Sequence, residues 1–513
     1  MPEGPASSRH NLAGIRDLRV QSWVYAIIRH SQFVRICAQN TCFFGPARPR
    51  GLSLALSVTA LARRFGVDQA VAYAVAAKAW QLIAGQLTAL AIVFCLTKTE
   101  QGYYYAFLYL LAMQIFVELG LHVVLINVAS HEWSQLRHEH SQVEGDSTAK
   151  ARLSALTRTS TKWYSIAAVL FTVLVGISGL IYFSPADFVK DATHTVAWTA
   201  PWLCLVVLTG LQLCILPKTA ILEGCGQLPT INRIRFWQAL AGSAVVWTIM
   251  VSGGAIWAMC GAAFVRLIGE YYLVATKYRG FFQSLEEVTD ERAIDWKQEV
   301  VPLQWRIAVQ GVLYWFASHL AGLVLFKVHG EATGGRFGLM WTVLTAVQSA
   351  SMAWVETRRP LFGQLIAEKN YTELDRQFFR MSQISMALVL AGATLVVSGV
   401  YVVNEFDLPY FDHIADRLPT PLATLTFAVA FVSYQPALCT NLYVRAHKRD
   451  PFLIPAIVSS LSIATLVSVL GWHYSIQGAG IGYLIGVGAI QSPIWVTVWL
   501  VTRRRWHQQE GAA

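Results

Sequence analysis

The sequence predicts an all-α, polytopic membrane protein with twelve transmembrane helices arranged as two six-helix lobes. Three observations carry this. Of the 513 residues, 55% are hydrophobic and only 14% charged, with a mean hydropathy of +0.45, whereas a soluble globular chain is about 25% charged. Twelve apolar segments each approach the roughly 20 residues a helix needs to cross the hydrocarbon core. The short loops between them are alternately basic and nearly free of Lys and Arg.

Taken in order, the spans lie near 79–97, 103–128, 164–184, 197–220, 235–252 and 255–275, then near 302–326, 335–357, 382–404, 420–441, 452–472 and 477–501. The charge pattern tests this list. The loops after spans 2, 4, 6, 8 and 10, with the tail, carry 23 Lys and Arg, among them Arg358, Arg359, Arg445, Lys448, Arg449 and Arg503 to Arg505. The opposite loops carry Lys98, Lys190, Lys327, Arg336 and Arg417, and they hold the acidic cluster Glu405, Asp407, Asp412 and Asp416. The positive-inside rule then puts both termini in the cytoplasm. Losing or adding one span would scramble the alternation. The formal net charge of +10 therefore belongs to cytoplasmic loops, and no nucleic-acid partner is expected.

Residues 1–78 form a basic N-terminal extension with Arg9, Arg16, Arg19, Arg29, Arg35, Arg48 and Arg50 and no run long enough to span. Residues 1–55 read either as a disordered or over-extended start or as a basic segment lying on anionic lipid; 60–78 reads as an amphipathic lead-in helix. The spans divide into an N-terminal lobe, 79–275, and a C-terminal lobe, 302–502, around a cytoplasmic linker, 276–301, with a tail at 503–513. Matching landmarks recur in each: Trp80 with Ala84 and Gln86 against Trp305 with Ala308 and Gln310, Pro217 against Pro436, and Gly/Ala-rich spans 6 and 12. Gly478, Gly482 and Gly486 share one helix face and allow close helix contact. Six spans per lobe give both the same orientation, as in parallel-repeat transporters.

Four segments carry a family resemblance. They are Thr99-Glu100-Gln101-Gly102-Tyr103-Tyr104-Tyr105-Ala106-Phe107, Phe116-Val117-Glu118-Leu119-Gly120-Leu121, Leu222-Glu223-Gly224-Cys225-Gly226-Gln227, and the stretch from Arg359-Pro360-Leu361-Phe362-Gly363 through Asn370-Tyr371-Thr372-Glu373-Leu374 to Arg380. Together with the topology over 60–502 they resemble the Wzx-like polysaccharide and lipid-linked oligosaccharide flippases of the multidrug/oligosaccharidyl-lipid/polysaccharide (MOP) exporter superfamily. The resemblance implies two six-helix lobes around a central cavity and export of an undecaprenyl-diphosphate-linked oligosaccharide across the bacterial inner membrane, for lipopolysaccharide or exopolysaccharide biosynthesis. It implies bilayer lipid and polysaccharide assembly proteins as partners, and no catalytic residue or cofactor.

Ionisable groups at membrane depth are costly and face a cavity or a partner. A lipid diphosphate is anionic, and the planar fork of Arg suits its oxygens. Arg266, near mid-membrane in span 6, is expected to contact the headgroup; the bland alternative is an intrahelical salt bridge to Glu270. Arg306, one turn inside span 7, is expected to capture the diphosphate or simply to snorkel. Lys218 borders span 4 and joins the substrate pathway. Glu118 and His122, four apart in span 2, read as a proton or sodium coupling site or as a hydrogen-bonded packing pair. Glu270 shares those two readings. His319 reads as a packing residue and Glu356 as part of a solvated cluster. His131, His138 and His140 lie in a solvated loop, the reading preferred over metal binding. The stretch 361–380 reads as an interfacial helix pair. Cys95, Cys204, Cys214 and Cys260 sit in apolar runs as small buried hydrophobes. The phosphate loop GxxxxGK[ST], HExxH and a nucleophile elbow are absent; a membrane polymerase or transferase is disfavoured because it needs a sizeable extracytoplasmic or active-site loop, and the longest such loops, about 405–419 and 185–196, are short. The leading reading is a flippase working by alternating access; the alternative is an ion-coupled small-molecule or drug exporter of the same superfamily.

Overall fold

The computed structural model describes residues 69–139, 141–184, 196–288, 296–405, 412–447 and 451–511. The extension as far as Asp68 and the loop residues Lys190, Asp407, His140, Lys448 and Arg449 lie outside the described residues. The chain is an all-α polytopic membrane protein. Among the described residues, nine helices are long and apolar enough to cross a membrane, or ten when one bent pair counts as a crossing.

Helix α1, Gln69–Cys95, starts ten residues before the expected span and absorbs the end of the lead-in. Thr97 caps α2, Lys98–Leu111, through a capping box with Glu100. This satisfies backbone donors that would otherwise be orphaned at the helix start. The second span then breaks. A short 3₁₀ turn, Ala112–Gln114, leads into α3, Ile115–Glu118, and α4, Leu121–Trp133, follows at a bend of 46°. Leu119 (φ 49°) and Gly120 (φ 67°) make the break. Glycine supplies that conformation freely, whereas Leu119 is strained in it. The next loop is not featureless: β1, Leu136–Glu139, and β2, Gln142–Gly145, form an antiparallel hairpin.

Helices α5, Ser147–Phe183, α6, Thr199–Gly224, α7, Leu228–Val251, and α8, Trp257–Tyr271, with a π-helical turn to Lys277, complete the first half. A short helix α9, Arg279–Glu286, receives the hairpin: Ser284 Oγ accepts from Val143 N at 3.0 Å. His138 stays exposed, as expected of a solvated loop, and meets the Tyr278 and Phe281 rings at its edge.

The second half opens with α10, Val301–His329, and α11, Glu331–Glu356. Helix α11 is more polar than the other long helices and is not among those nine. It carries Thr342, Thr345, Gln348 and Ser351, and it packs among helices of both halves, which shields it from lipid. Helix α12, Arg359–Ala367, is one half of the expected interfacial pair; the other half is no separate helix but the start of α13, Tyr371–Glu405. The short α14, Asp412–Ala415, precedes α15, Pro421–Ala446, which retains Pro436.

The last long element, 453–506, would be about 80 Å as one helix, far beyond a roughly 30 Å core. It folds back at Tyr474 and Ser475 (φ 56°, ψ −147°) inside α16, Leu453–Leu484. A Cβ at Gly478 would collide with Leu470 O, one at Gly482 would lie 2.6 Å from Leu466 O, and one at Gly486 2.7 Å from Ile463 Cγ1. The glycine stripe thus packs directly on the preceding limb, antiparallel to it. A π-helical turn, Ile485–Gln491, leads into α17, Ser492–Gly511.

Packing repeats between the halves. Helix α1 lies on α7 as α10 lies on α16; α5 lies on α6 as α13 lies on α15; α6 meets α8 as α15 meets α17. The tryptophan landmarks do not follow this repeat. Trp80 Nε1 donates to Ala239 O and Ser243 Oγ on α7, whereas Trp305 is half-exposed beneath Arg306.

Candidate functional site: a polar cleft at one end of a two-sided bundle

The halves touch toward both ends of the bundle, with Gly120 against Ile307 of α10 and Gly311 of α10 against Ile115 toward one end, and more extensive contacts at the other. At the end where α2 begins, the halves are sealed together. Gly102 of α2 sits against the backbone of Glu331, Gly338 of α11 against the Tyr105 ring, and Gly322 of α10 against the Tyr109 ring; a Cβ at any of the three would collide. Such contacts let helix backbones approach closely. Polar groups close the same seam. Gln101, 1% exposed, donates from Nε2 to Gly335 O at 2.9 Å and accepts from Arg417 Nη1 at 3.2 Å. Arg417, 3% exposed, comes from the α14–α15 connection. Trp315 Nε1 donates to Tyr109 O, Tyr182 Oη to Leu323 O, and Lys98 Nζ pairs with Asp416 at 2.7 Å. Burial lowers the Arg417 guanidinium's pKa, and the charges of Glu100 and Asp416 oppose that shift.

Toward the opposite end, in the first half, a small polar cleft opens between α6, α7, α8 and the 3₁₀ turn after α2. Its polar lining is Gln114, Thr209, Gln212, Thr219, Arg235, Arg266 and Glu270. Arg235 lies about 10 Å into α7, and Glu270 about 10 Å from the end of the π turn after α8. Arg235 Nη2 donates to Glu223 Oε1 at 2.6 Å, and its Nε lies 3.7 Å from Glu270 Oε1. Glu270 is 8% exposed, so its charge needs this cation. Gln212 donates to Ala263 O, and Gln238 to Arg266 O, holding α8 against α6 and α7.

The expected site residues separate in space. Arg266 faces the cleft with an exposed side chain. Its guanidinium makes no ion pair within 4 Å among the described residues, because Glu270 has turned to Arg235. Glu270 lies in the same cleft. Glu118 reaches its edge through Gln114, whose Nε2 donates to Glu118 Oε2 at 3.4 Å. Glu118 and His122 do not share a continuous helix face, since Leu119 and Gly120 interrupt the helix, and they form no hydrogen bond with each other. Lys218 points away: Nζ lies 3.9 Å from Glu286 and 5.2 Å above the Phe282 ring of α9. Arg306 is exposed on α10 outside the cleft, 5.7 Å from the Trp305 ring centroid. His319 bonds Ser318 Oγ at 2.7 Å and stacks on Trp315. Glu356 forms an exposed pair with Lys78 at 3.6 Å.

Sequence reasoning missed Arg235 and Glu223. Arg235 sits at a loop border, where it counts only as a topology signal, and its pairing with Glu223 spans 12 positions and two helices. Glu223 falls inside the quoted Leu222–Gln227 segment, the one signal that could have flagged it. No group of three or more metal-ligating side chains occurs among the described residues.

No protein-family model and no curated protein matches the chain. Solved structures do. The chain is similar to the inward-facing conformation of a multidrug resistance MATE family transporter of the MOP superfamily, at TM-score 0.63 and 14% identity, over 85% of this chain and 95% of that one. It is similar to an outward-facing conformation of such a transporter at TM-score 0.52 and 13% identity, over 87% and 98%. It also resembles the lipid II flippase MurJ in an inward closed conformation, at TM-score 0.54 and 11% identity, over 83% and 87%. The likeness is one of fold, shared with these MATE and MurJ structures.

Proposed function

We propose that the chain is a flippase moving an undecaprenyl-diphosphate-linked oligosaccharide from the cytoplasmic to the outer face of the bacterial inner membrane by alternating access. In this reading twelve crossings form two six-helix lobes, both termini are cytoplasmic, and the basic loops mark the cytoplasmic end. The sealed seam is then the outer gate, and the protein stands inward-facing. The higher TM-score to the inward-facing MATE transporter than to the outward-facing one supports that assignment.

The observation that carries the substrate class is the unpaired Arg266 guanidinium, exposed in a cleft whose other cation is already bound to carboxylates. Such a group is costly at membrane depth unless an anion arrives. A diphosphate supplies that anion, and Arg266 can meet its oxygens bidentately. The polyprenyl tail stays in lipid while the sugars cross between the lobes. The fold likeness to the lipid II flippase MurJ agrees with a lipid-linked cargo. Glu118, beside Gln114, is the group we assign to coupling with a proton or sodium ion. The role is transport and not catalysis.

A second reading, an ion-coupled small-molecule exporter, is favoured by the fold likeness to multidrug MATE transporters. The two separate in a gene-deletion strain. The flippase reading expects lipid-linked oligosaccharide to accumulate on the cytoplasmic face, with rescue by the parent gene and not by membrane-inserted Arg266→Ala. Unchanged surface polysaccharide with no accumulation would overturn it in favour of small-molecule export.

A further inference from the structure

We propose that a second cleft, between the end of α11 and the first turns of α13, binds the phosphate of an anionic membrane lipid. It is lined by Trp354, Thr357 and Arg358 on one side and by Gln377, Arg380 and Met381 on the other. Positions 377, 380 and 381 share one face of α13, so Arg380 projects toward the side from which Arg358 arrives.

Unlike the first cleft, which holds Glu270, this one has a wholly cationic charged lining. No carboxylate lines the cleft. Arg358 and Arg380 make no ion pair with any described residue, whereas Arg152, Arg235, Arg376 and Arg503 are each bound to a carboxylate. The nearby acids are engaged elsewhere. Glu373 accepts from Gln377 at 2.6 Å and pairs with Arg376 at 2.8 Å, and Glu356 pairs with Lys78. Two guanidinium groups therefore face one space with no counterion. Their planar forks suit phosphate oxygens, and the positive field disfavours a headgroup that ends in an ammonium.

Depth and apolar lining select a lipid phosphate over a soluble one. Arg358 closes the apolar run 335–357, and Arg380 stands two residues before the run 382–404. Both therefore lie at the membrane–water boundary, the level of lipid phosphates. Trp354 is 51% exposed there, an interfacial anchor. Met381 and Ile384 continue the cleft toward the hydrocarbon and offer a bed for an acyl or prenyl chain. The site does not depend on what the protein transports; the orientation proposed above fixes only which leaflet it faces.

The test is native mass spectrometry of the purified full chain titrated with phosphatidylglycerol, phosphatidylcholine and undecaprenyl phosphate, with inorganic phosphate as competitor. Phosphatidylglycerol should bind in preference to phosphatidylcholine. Arg358→Ala/Arg380→Ala should weaken it about tenfold or more, as expected for the loss of two charge-assisted contacts. Arg358→Lys/Arg380→Lys, which keeps charge but not the fork, should fall between, and Arg504→Ala/Arg505→Ala should match the parent. Stronger binding of undecaprenyl phosphate than of phosphatidylglycerol would mark the phosphate as that of a prenyl carrier; equal binding would mark it as bulk lipid. Both outcomes support the site. Unchanged binding in the double alanine variant, equal binding of phosphatidylcholine, or full displacement by inorganic phosphate would overturn it.

Discussion

Replacing Gln101 with alanine should open the sealed end. In the structure Gln101 is almost fully buried and bridges the two halves, donating to Gly335 O of α11 and accepting from Arg417. A neutral hydrogen bond contributes about 0.5–1.5 kcal/mol and one to a charged group about 1.5–3 kcal/mol. Gln101→Ala removes one of each, so the sealed state should lose about 2–4 kcal/mol. These contacts cross the seam and exist only while it is closed. The loss therefore shifts the closed-to-open ratio by roughly 30- to 1,000-fold. A cysteine at Ala106, buried one turn further along α2, reports the change through reaction with a membrane-impermeant maleimide added from the sealed side. The parent chain's own cysteines give the background. Labelling of Ala106→Cys should be slow alone and fast when combined with Gln101→Ala. Equal labelling with and without the substitution would show that Gln101 contributes nothing specific to the sealed state.

Other substitutions probe the remaining parts. Cysteines at Lys98 and Asp416, whose charged atoms lie 2.7 Å apart, should crosslink under oxidation and abolish transport, with recovery on reduction; a crosslinked protein that still transports would mean that this end never opens. Arg235→Ala leaves Glu223 and Glu270 without their shared cation and should cost about 3–5 kcal/mol, read as a lower melting temperature, while Arg266→Ala should leave it nearly unchanged. Gly482→Leu places a side chain where even a Cβ lies 2.6 Å from Leu466 O. It should separate the two limbs of the 453–506 hairpin and cut the folded yield. Trp202→Ala empties a fully buried site against Gly179, Phe107 and Phe183 and should cost about 3–5 kcal/mol, seen in thermal unfolding.

The order of the helices was legible because membrane depth and charge asymmetry act on whole segments: the basic residues after spans 2, 4, 6, 8 and 10 needed no tertiary contact to be read. The glycine stripe of Gly478, Gly482 and Gly486 was legible too, since its spacing sets its face; what it packs against was not. The break in the second span was hidden. Gly120 permits it, but nothing in the residue type marks Leu119 as left-handed. The expected one-face pair of Glu118 and His122 failed for that reason. The ion pair inside α8 failed differently. Glu270 had Arg266 one turn away and chose Arg235, 35 positions earlier, because the packing of α7 on α8 brings that guanidinium to it. Local spacing reports which side chains can meet within a helix, and neighbouring helices decide which of them do. The hairpin at 136–145 was missed because its four-residue strands gain their stability from docking on α9.

The most direct test of transport is reconstitution. Proteoliposomes carrying a lipid-linked oligosaccharide and the purified chain are probed with an enzyme that cleaves the diphosphate only on the accessible face. A flippase should give protein-dependent transfer of the oligosaccharide to that face, lost in Arg266→Ala and retained in Arg504→Ala/Arg505→Ala. Absence of transfer under either a proton or a sodium gradient, with movement of a small cationic dye by the same vesicles, would contradict that reading.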